Sequence, residues 1–251
     1  MNIYDLFRER SRNGNDFIRS AQGESLYSYH DMDRISGELS HRLIELGVKP
    51  GDRIIVQVEK SPESLFLYFA ALRCGAIYLP LNTAYRDVEL TYFVANAEPS
   101  LIVCDPSKLA FYHSLLANVE TLDENGQGSL MALKASNTPF NTYQSDPDDI
   151  AVILYTSGTT GKPKGAMISH KNLASNGLAL TKAWQWQPTD IMLHALPVFH
   201  IHGLFVATHL PVLNGSPIIF LRSFEAEHVI DLLPSATVYM GVPTNYTRLI
   251  A

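Results

Sequence analysis

Charge, cysteine and long apolar runs are all scarce in this sequence. Charged residues make up 18 % of the 251 positions, and 19 Lys and Arg against 25 Asp and Glu leave a net charge of −6. No cluster of basic residues stands out, so the electrostatic footprint that nucleic acid requires is missing. Only two cysteines occur, Cys74 and Cys104, and neither belongs to a C-x-x-C or zinc-type spacing. Both lie in apolar segments, where a free thiol behaves as a small hydrophobe, which predicts core thiols in a reducing compartment. The first ten residues lack the uninterrupted apolar stretch of a secretory signal, and the sequence is therefore read as cytoplasmic. The nearest approach to a membrane span, 196–213, carries His200, His202, His209, Pro197 and Pro211. Such groups are costly in hydrocarbon, so a buried soluble segment is expected and no membrane partner. No internal repeat or low-complexity tract is evident.

What is present is a globular balance, 46 % hydrophobic, in a chain long enough for one large domain or two subdomains. Ser28-Tyr29-His30-Asp31 reads as a capping box ahead of a helix with Met32, Ile35, Leu39, Leu43 and Leu46 on one face, stopped by Gly47. The β-rich run 53–58 follows, then a helix opened by Ser61 and Pro62 and closed near Gly75. The same alternation predicts helices over about 87–96, 107–118, 170–180 and 225–233, and strands over 100–104, 119–122, 150–155, 191–196, 217–221 and 236–241. Short, almost wholly apolar strands between helices indicate parallel sheet covered on both faces, and the fold class is α/β. Residues 123–149, rich in Asn, Gly, Ser and Asp, are expected to form a long connection with at most a short helix.

The most informative stretch is Tyr155-Thr156-Ser157-Gly158-Thr159-Thr160-Gly161-Lys162-Pro163-Lys164-Gly165. Its glycines permit a backbone that turns N–H groups inward, its four hydroxyls add donors, and Lys162 and Lys164 add positive charge. Such a loop suits phosphate. It is not a Walker A loop, because Gly161-Lys162 is followed by Pro163, which cannot donate a backbone hydrogen bond or lead straight into a helix. A polar surface turn built from the usual turn residues is the competing reading.

His200 and His202 form an H-x-H pair. If that segment is extended, both rings point to one face, a spacing that suits a metal, with His194 or His209 as a third ligand. Against this, no Asp or Glu lies between Asp190 and Glu225 to serve as carboxylate ligand or general base, which weakens a hydrolytic zinc site. Satisfied core histidines are the plainer alternative.

The phosphate-loop segment resembles that of the AMP-forming adenylating enzymes, the superfamily of acyl-CoA synthetases, peptide-synthetase adenylation domains and beetle luciferases. Leu72 to Tyr85, Leu196 to Leu204 and Met240 to Thr244 resemble the same family in the same order. Within it the chain is most similar to malonyl-CoA synthetases, at Pro80 to Tyr85, Val103 to Lys108 and His200 to Leu204. The resemblance implies stacked, largely parallel sheets of the large N-terminal domain, with residues 1–48 and 185–251 in one α/β subdomain and 49–184 in the other. It implies an ATP-dependent ligase that joins a small carboxylic acid, malonate or methylmalonate, to coenzyme A through an acyl-adenylate, with Mg2+. Thr156, Ser157, Gly158, Thr159, Thr160, Gly161, Lys162 and Lys164 would hold the triphosphate, with Thr156 also at the magnesium. Lys164 would place a point charge on departing pyrophosphate, with Lys162 as the alternative and a solvated lysine as the plain reading of either. His202, and more weakly His200, would hold the substrate carboxylate. Gly241, Val242 and Pro243 would line the acyl pocket, although an ordinary strand end before a Pro-initiated helix fits the same residues.

The resemblance also implies segments beyond Ala251, including motifs for adenine and ribose and a small C-terminal lid domain, so this sequence is read as an N-terminal part with little ligase turnover alone. Apolar surface exposed by that truncation would favour self-association. A ligase for another short acid, a non-catalytic nucleotide-binding module and a histidine-based metallohydrolase are the remaining readings.

Overall fold

The computed structural model of the chain describes residues 1–10, 15–132, 138–156 and 163–251. In chain order the strands are β1 (Asp16–Arg19), β2 (Ser25–Ser28), β3 (Arg53–Gln57), β4 (Ile77–Pro80), β5 (Leu101–Cys104), β6 (Val119–Thr121), β7 (Ile150–Thr156), β8 (Lys164–Ser169), β9 (Met192–His194), β10 (Ile218–Phe220) and β11 (Val238–Tyr239). The α-helices are α1 (Ile3–Arg10), α2 (Tyr29–Glu45), α3 (Pro62–Cys74), α4 (Asp87–Ala97), α5 (Leu109–His113), α6 (His170–Ala183), α7 (His209–Asn214), α8 (Ala226–Leu232) and α9 (Pro243–Leu249). The chain divides into two units, one of Met1–Tyr4 with Arg34–Asn172 and one of Asp5–Asp33 with Leu173–Ala251.

The first unit is built on the sheet β6-β5-β3-β4-β7-β8, parallel throughout except for β8, which runs antiparallel to β7 at the edge. All four residues of β5 are buried, as is expected of a parallel strand covered on both faces. Leu79, Leu90, Phe93, Ile102 and Tyr112 belong to one core cluster drawn from strands and helices. Local signals place α3: Ser61 and Ser64 exchange backbone-to-hydroxyl bonds of 3.2 Å, Pro62 opens the first turn, and Gly75 closes the helix at φ +71°. Arg73 on this helix is buried, donating to Ser36 Oγ (2.9 Å) and to the Phe140 carbonyl (2.9 Å) with its guanidinium over the Tyr4 ring.

The second unit is built on the sheet β11-β9-β10-β1-β2, again parallel with one antiparallel edge, β2 against β1. Its core includes Leu193, Ala195, Ile219, Leu221 and Val229. The cap expected at Ser28 is present: Asp31 N donates to Ser28 Oγ (3.1 Å) and Ser28 N to Asp31 Oδ2 (3.0 Å).

The α/β architecture agrees with the sequence, and three local expectations need correction. The helix over 107–118 is a 3-10 turn, Pro106–Lys108, followed by the short α5. Asp105 Oδ1 accepts Ser107 N (2.9 Å), which tightens the first turn, and the Asn118 side chain is drawn to the Leu46 and Ser100 carbonyls, which takes the end of the segment out of the helix. The strand over 236–241 shrinks to β11, since Thr237 N and Val238 N both bond Ile191 O while Gly241 N meets the Tyr246 hydroxyl. β1, β2 and β8 have no counterpart among the strands expected, being short or exposed. Among the described residues no helix is long and apolar enough to cross a membrane.

Candidate functional site

In the first unit, β7 ends at Thr156 and β8 begins at Lys164, and these two residues are Cα partners, the last pair of the antiparallel ladder. Directly opposed residues project to the same face, so the Thr156 hydroxyl and the Lys164 amine leave the hairpin side by side. Both are exposed, whereas Ala151, Val152 and Leu154 further down β7 are buried. Ser157, Gly158, Thr159, Thr160, Gly161 and Lys162 lie outside the described residues.

Helix α4 anchors the hairpin from the opposite face. The Tyr155 hydroxyl donates to Asn96 Oδ1 (2.6 Å), the Tyr155 ring packs on Phe93 with centroids 4.5 Å apart, and the Tyr92 hydroxyl donates to the Pro163 carbonyl (3.0 Å). Tyr155, one residue short of the end of β7, and Pro163, the first residue after Lys162, are thus tied to one helix face, at positions 96 and 92, one turn apart. No motif marks Tyr92 or Asn96. Gly165, opposite Tyr155, has no room for a side chain, since a Cβ would stand 2.9 Å from Ile153 Cγ2. Replacing Tyr92 with Phe removes the tether to Pro163 and is expected to cost about 1 kcal/mol of stability, read by thermal melts.

In the second unit, His200 and His202 do not lie on an extended segment. Leu204 N bonds His200 O (2.9 Å) and Ala207 N bonds His202 O (2.9 Å), and His202–Val206 forms a π-helical turn. The expected alternation of rings therefore fails, because the backbone here is helical. His200 is exposed beside the Phe199 ring, centroids 4.6 Å apart, and partial desolvation lowers its pKa. His202 is half-buried.

His194 and His209 belong to the core. His194 is 1 % exposed with Nε2 3.0 Å from Gly203 O and 3.1 Å from Thr208 Oγ1. His209 sits between the rings of Phe7 and Phe205, at 4.9 and 5.5 Å. Among the described residues no group of three His, Cys, Asp or Glu could hold a metal.

Burial pushes the His209 pKa down to about 3, so its ring is neutral in the folded unit. The unfolded chain takes up that proton near pH 6.5, and stability therefore falls as pH drops from about 6.5 towards 3. His209→Phe, which keeps a ring between the two phenylalanines, is expected to flatten this slope by about 3 kcal/mol at pH 4, measured by urea melts across the range. His170, lowered to about 4 chiefly by burial in the first unit, acts in the same direction.

Gly241, Val242 and Pro243 join β11 to α9. Asn245 Oδ1 accepts Val242 N (2.9 Å) at the helix start. A Cβ at Gly241 would come within 3.0 Å of the Tyr239 hydroxyl and 3.1 Å of Asn245 Cβ, so the space beside this glycine is already filled from within the turn. Val242 is 40 % exposed.

A profile of the AMP-binding enzyme family matches residues 7–251. The chain is 30 % identical to a malonate–CoA ligase of Arabidopsis thaliana, over 97 % of this chain and 46 % of that protein. It is 43 % identical to ATP-bound MatB from Rhodopseudomonas palustris, with a TM-score of 0.93 over 99 % of this chain and 50 % of that one. It is also 26 % identical to gramicidin S synthase 2 of Brevibacillus brevis, over 99 % of this chain and 6 % of that protein. The chain thus spans about half or less of the length of these relatives. On a match that takes in both units and the hairpin, this chain belongs to the AMP-binding enzyme family.

Proposed function

We propose that this chain carries the triphosphate- and acid-recognising part of an ATP-dependent acid–CoA ligase whose acid is malonate or methylmalonate. The observation that carries the reading is the Thr156–Lys164 cross-strand pair at the mouth of a hydroxyl- and glycine-rich hairpin loop, held to α4 through Tyr92 and Tyr155. The likeness to ATP-bound MatB and to a malonate–CoA ligase supports it. In this reading the two units are the two α/β subdomains of the ligase's large domain.

A hydroxyl oxygen and an ammonium emerging together suit phosphate oxygens and a hard cation, so Thr156 would reach Mg2+ and Lys164 the pyrophosphate. Bound Mg2+ would supply charge neutralisation at the triphosphate. A carboxylate oxygen of the acid attacks the α-phosphorus, the bond to the bridging oxygen breaks, and pyrophosphate departs with its electron pair. Lys164, with Lys162 as the alternative, lowers this barrier by offering positive charge where negative charge accumulates. By the family resemblance, Ser157, Gly158, Thr159, Thr160 and Gly161 would add hydroxyl and backbone donors to the phosphates. His202, with His200 beside it, orients the carboxylate, and Gly241, Val242 and Pro243 border the acyl group. Coenzyme A then displaces AMP to form the thioester.

Acid-dependent exchange of labelled pyrophosphate into ATP tests the proposal, with malonate, methylmalonate, acetate and a medium-chain acid compared. Exchange with malonate or methylmalonate well above the others is expected. Preference for the medium-chain acid or acetate would move the chain to another ligase of the family, whereas exchange with none, together with no binding of MgATP to the chain, would remove the ligase reading.

A further inference from the structure

The π-helical turn His202–Val206 has an identifiable cause. In an α-helix Ala207 N–H would bond Gly203 O, four residues back; here it reaches past it to His202 O, five residues back. Gly203 O is not left bare. It accepts from Thr208 Oγ1 at 2.9 Å and faces His194 Nε2 at 3.0 Å, while Nε2 and Thr208 Oγ1 are themselves 3.1 Å apart. Because the Thr208 proton points to the carbonyl, Nε2 must carry a hydrogen; an unprotonated Nε2 would set two lone pairs against each other at 3.0 Å. All three groups are buried, where a carbonyl without donors is costly.

We infer that His194 and Thr208 form a side-chain lock that captures the Gly203 carbonyl, imposes the π turn and thereby sets the position of His202. They are positioning residues; this role rests on the ligase reading only in so far as His202 meets the acid. Gly203 completes the device, since its Cα lies against the Pro197 carbonyl where no side chain fits. Releasing Gly203 O returns it to Ala207 N–H, and the residues before it shift by one place, about 100° around the helix axis. That shift carries His202 away from its present direction. π turns are frequent at functional sites, and this one begins at the histidine singled out for the carboxylate.

The test compares wild type with Thr208→Val, which keeps the shape and removes the hydroxyl, and Thr208→Ser, which restores it. Two readings are taken: the NMR signals of the Gly203 carbonyl carbon and the His202 ring on the purified chain, and half-saturation of pyrophosphate exchange by malonate and by ATP. In Thr208→Val both signals are expected to move and the malonate value to rise about tenfold with the ATP value unchanged, a split that a general loss of stability would not produce. Thr208→Ser is expected to match wild type. A displaced Gly203 signal with an unmoved His202 ring, or no displacement of either, would overturn the lock. Should Thr208→Val fail to fold, the wild-type His194 nitrogen shifts decide: a protonated Nε2 supports the lock and a protonated Nδ1 with bare Nε2 refutes it. Should malonate leave the wild-type His202 ring untouched while Thr208→Val displaces it, the lock stands and the ligase reading fails.

Discussion

Lys164→Met is expected to lower acid-dependent pyrophosphate exchange by roughly 10² to 10³-fold while leaving the melting temperature within about a degree. Met keeps the length of the side chain and removes its charge. Lys164 stands exposed at the first position of β8, so its replacement empties no core space. The stability of the hairpin comes instead from the buried residues of β7 and from the Tyr92 and Tyr155 tethers. Loss of catalysis without loss of stability is therefore the pattern expected of a point charge acting on the departing pyrophosphate. Lys164→Arg should recover part of the rate, because the charge is kept while the planar fork differs from a compact ammonium. An unchanged rate in Lys164→Met, with a loss in Lys162→Met, would transfer the role to Lys162.

The second large effect is structural. Gly203→Ala is expected to destabilise the second unit by about 4 kcal/mol or more, enough to prevent its folding at ordinary temperature. A Cβ there would lie 2.0 Å from the Pro197 carbonyl oxygen and 2.8 Å from its carbon. Those are backbone atoms of a proline next to buried Leu196, so neither side can give way without moving the chain. Gly177→Ala in α6 is the informative contrast. Its Cβ would meet Leu213 Cδ1 at 2.5 Å, the far end of a flexible side chain, and Ala gains about 1 kcal/mol of helix propensity over Gly. Chemical denaturation should rank the two far apart, with Gly177→Ala within about 1 kcal/mol of wild type. Equal costs would mean that the π turn tolerates a side chain and that the close approach to Pro197 is not rigid.

Where the signal is local, sequence and structure agree. β3 and β5 are apolar runs buried in a parallel sheet, and α3 carries its own start at Ser61 and Pro62 and its own stop at Gly75. β8 escapes because an exposed edge strand with Lys164, Gly165 and Met167 carries no alternation to read. β1, the four residues Asp16–Arg19, lies between β2 and β10, and the parallel partner that places it inside the sheet is some 200 positions away along the chain. The same reasoning separates the parts of the candidate site. Thr156 and Lys164 stand out in the sequence because hydroxyl, glycine and lysine are concentrated there, and only the hairpin register shows that they are opposite each other. The H-x-H pair meets the condition for neither ring alternation nor a metal, because its backbone is helical and the groups bonded to Gly203 O, Thr208 and His194, lie outside the motif. Tyr92 and Asn96, which fix the hairpin base, carry no sequence signature at all, since a hydroxyl and an amide acquire a role only when β7 and β8 pack against α4.

The most direct test of the central claim, that the hairpin closed by Thr156 and Lys164 grips the triphosphate, is calorimetric titration of the purified chain with MgATP beside the Thr156→Val/Lys164→Met double variant. The account predicts saturable binding by wild type that inorganic pyrophosphate displaces, and loss of at least about tenfold in affinity in the variant with an unchanged melting temperature. Equal affinity in the two proteins, or binding that pyrophosphate leaves untouched, would contradict it.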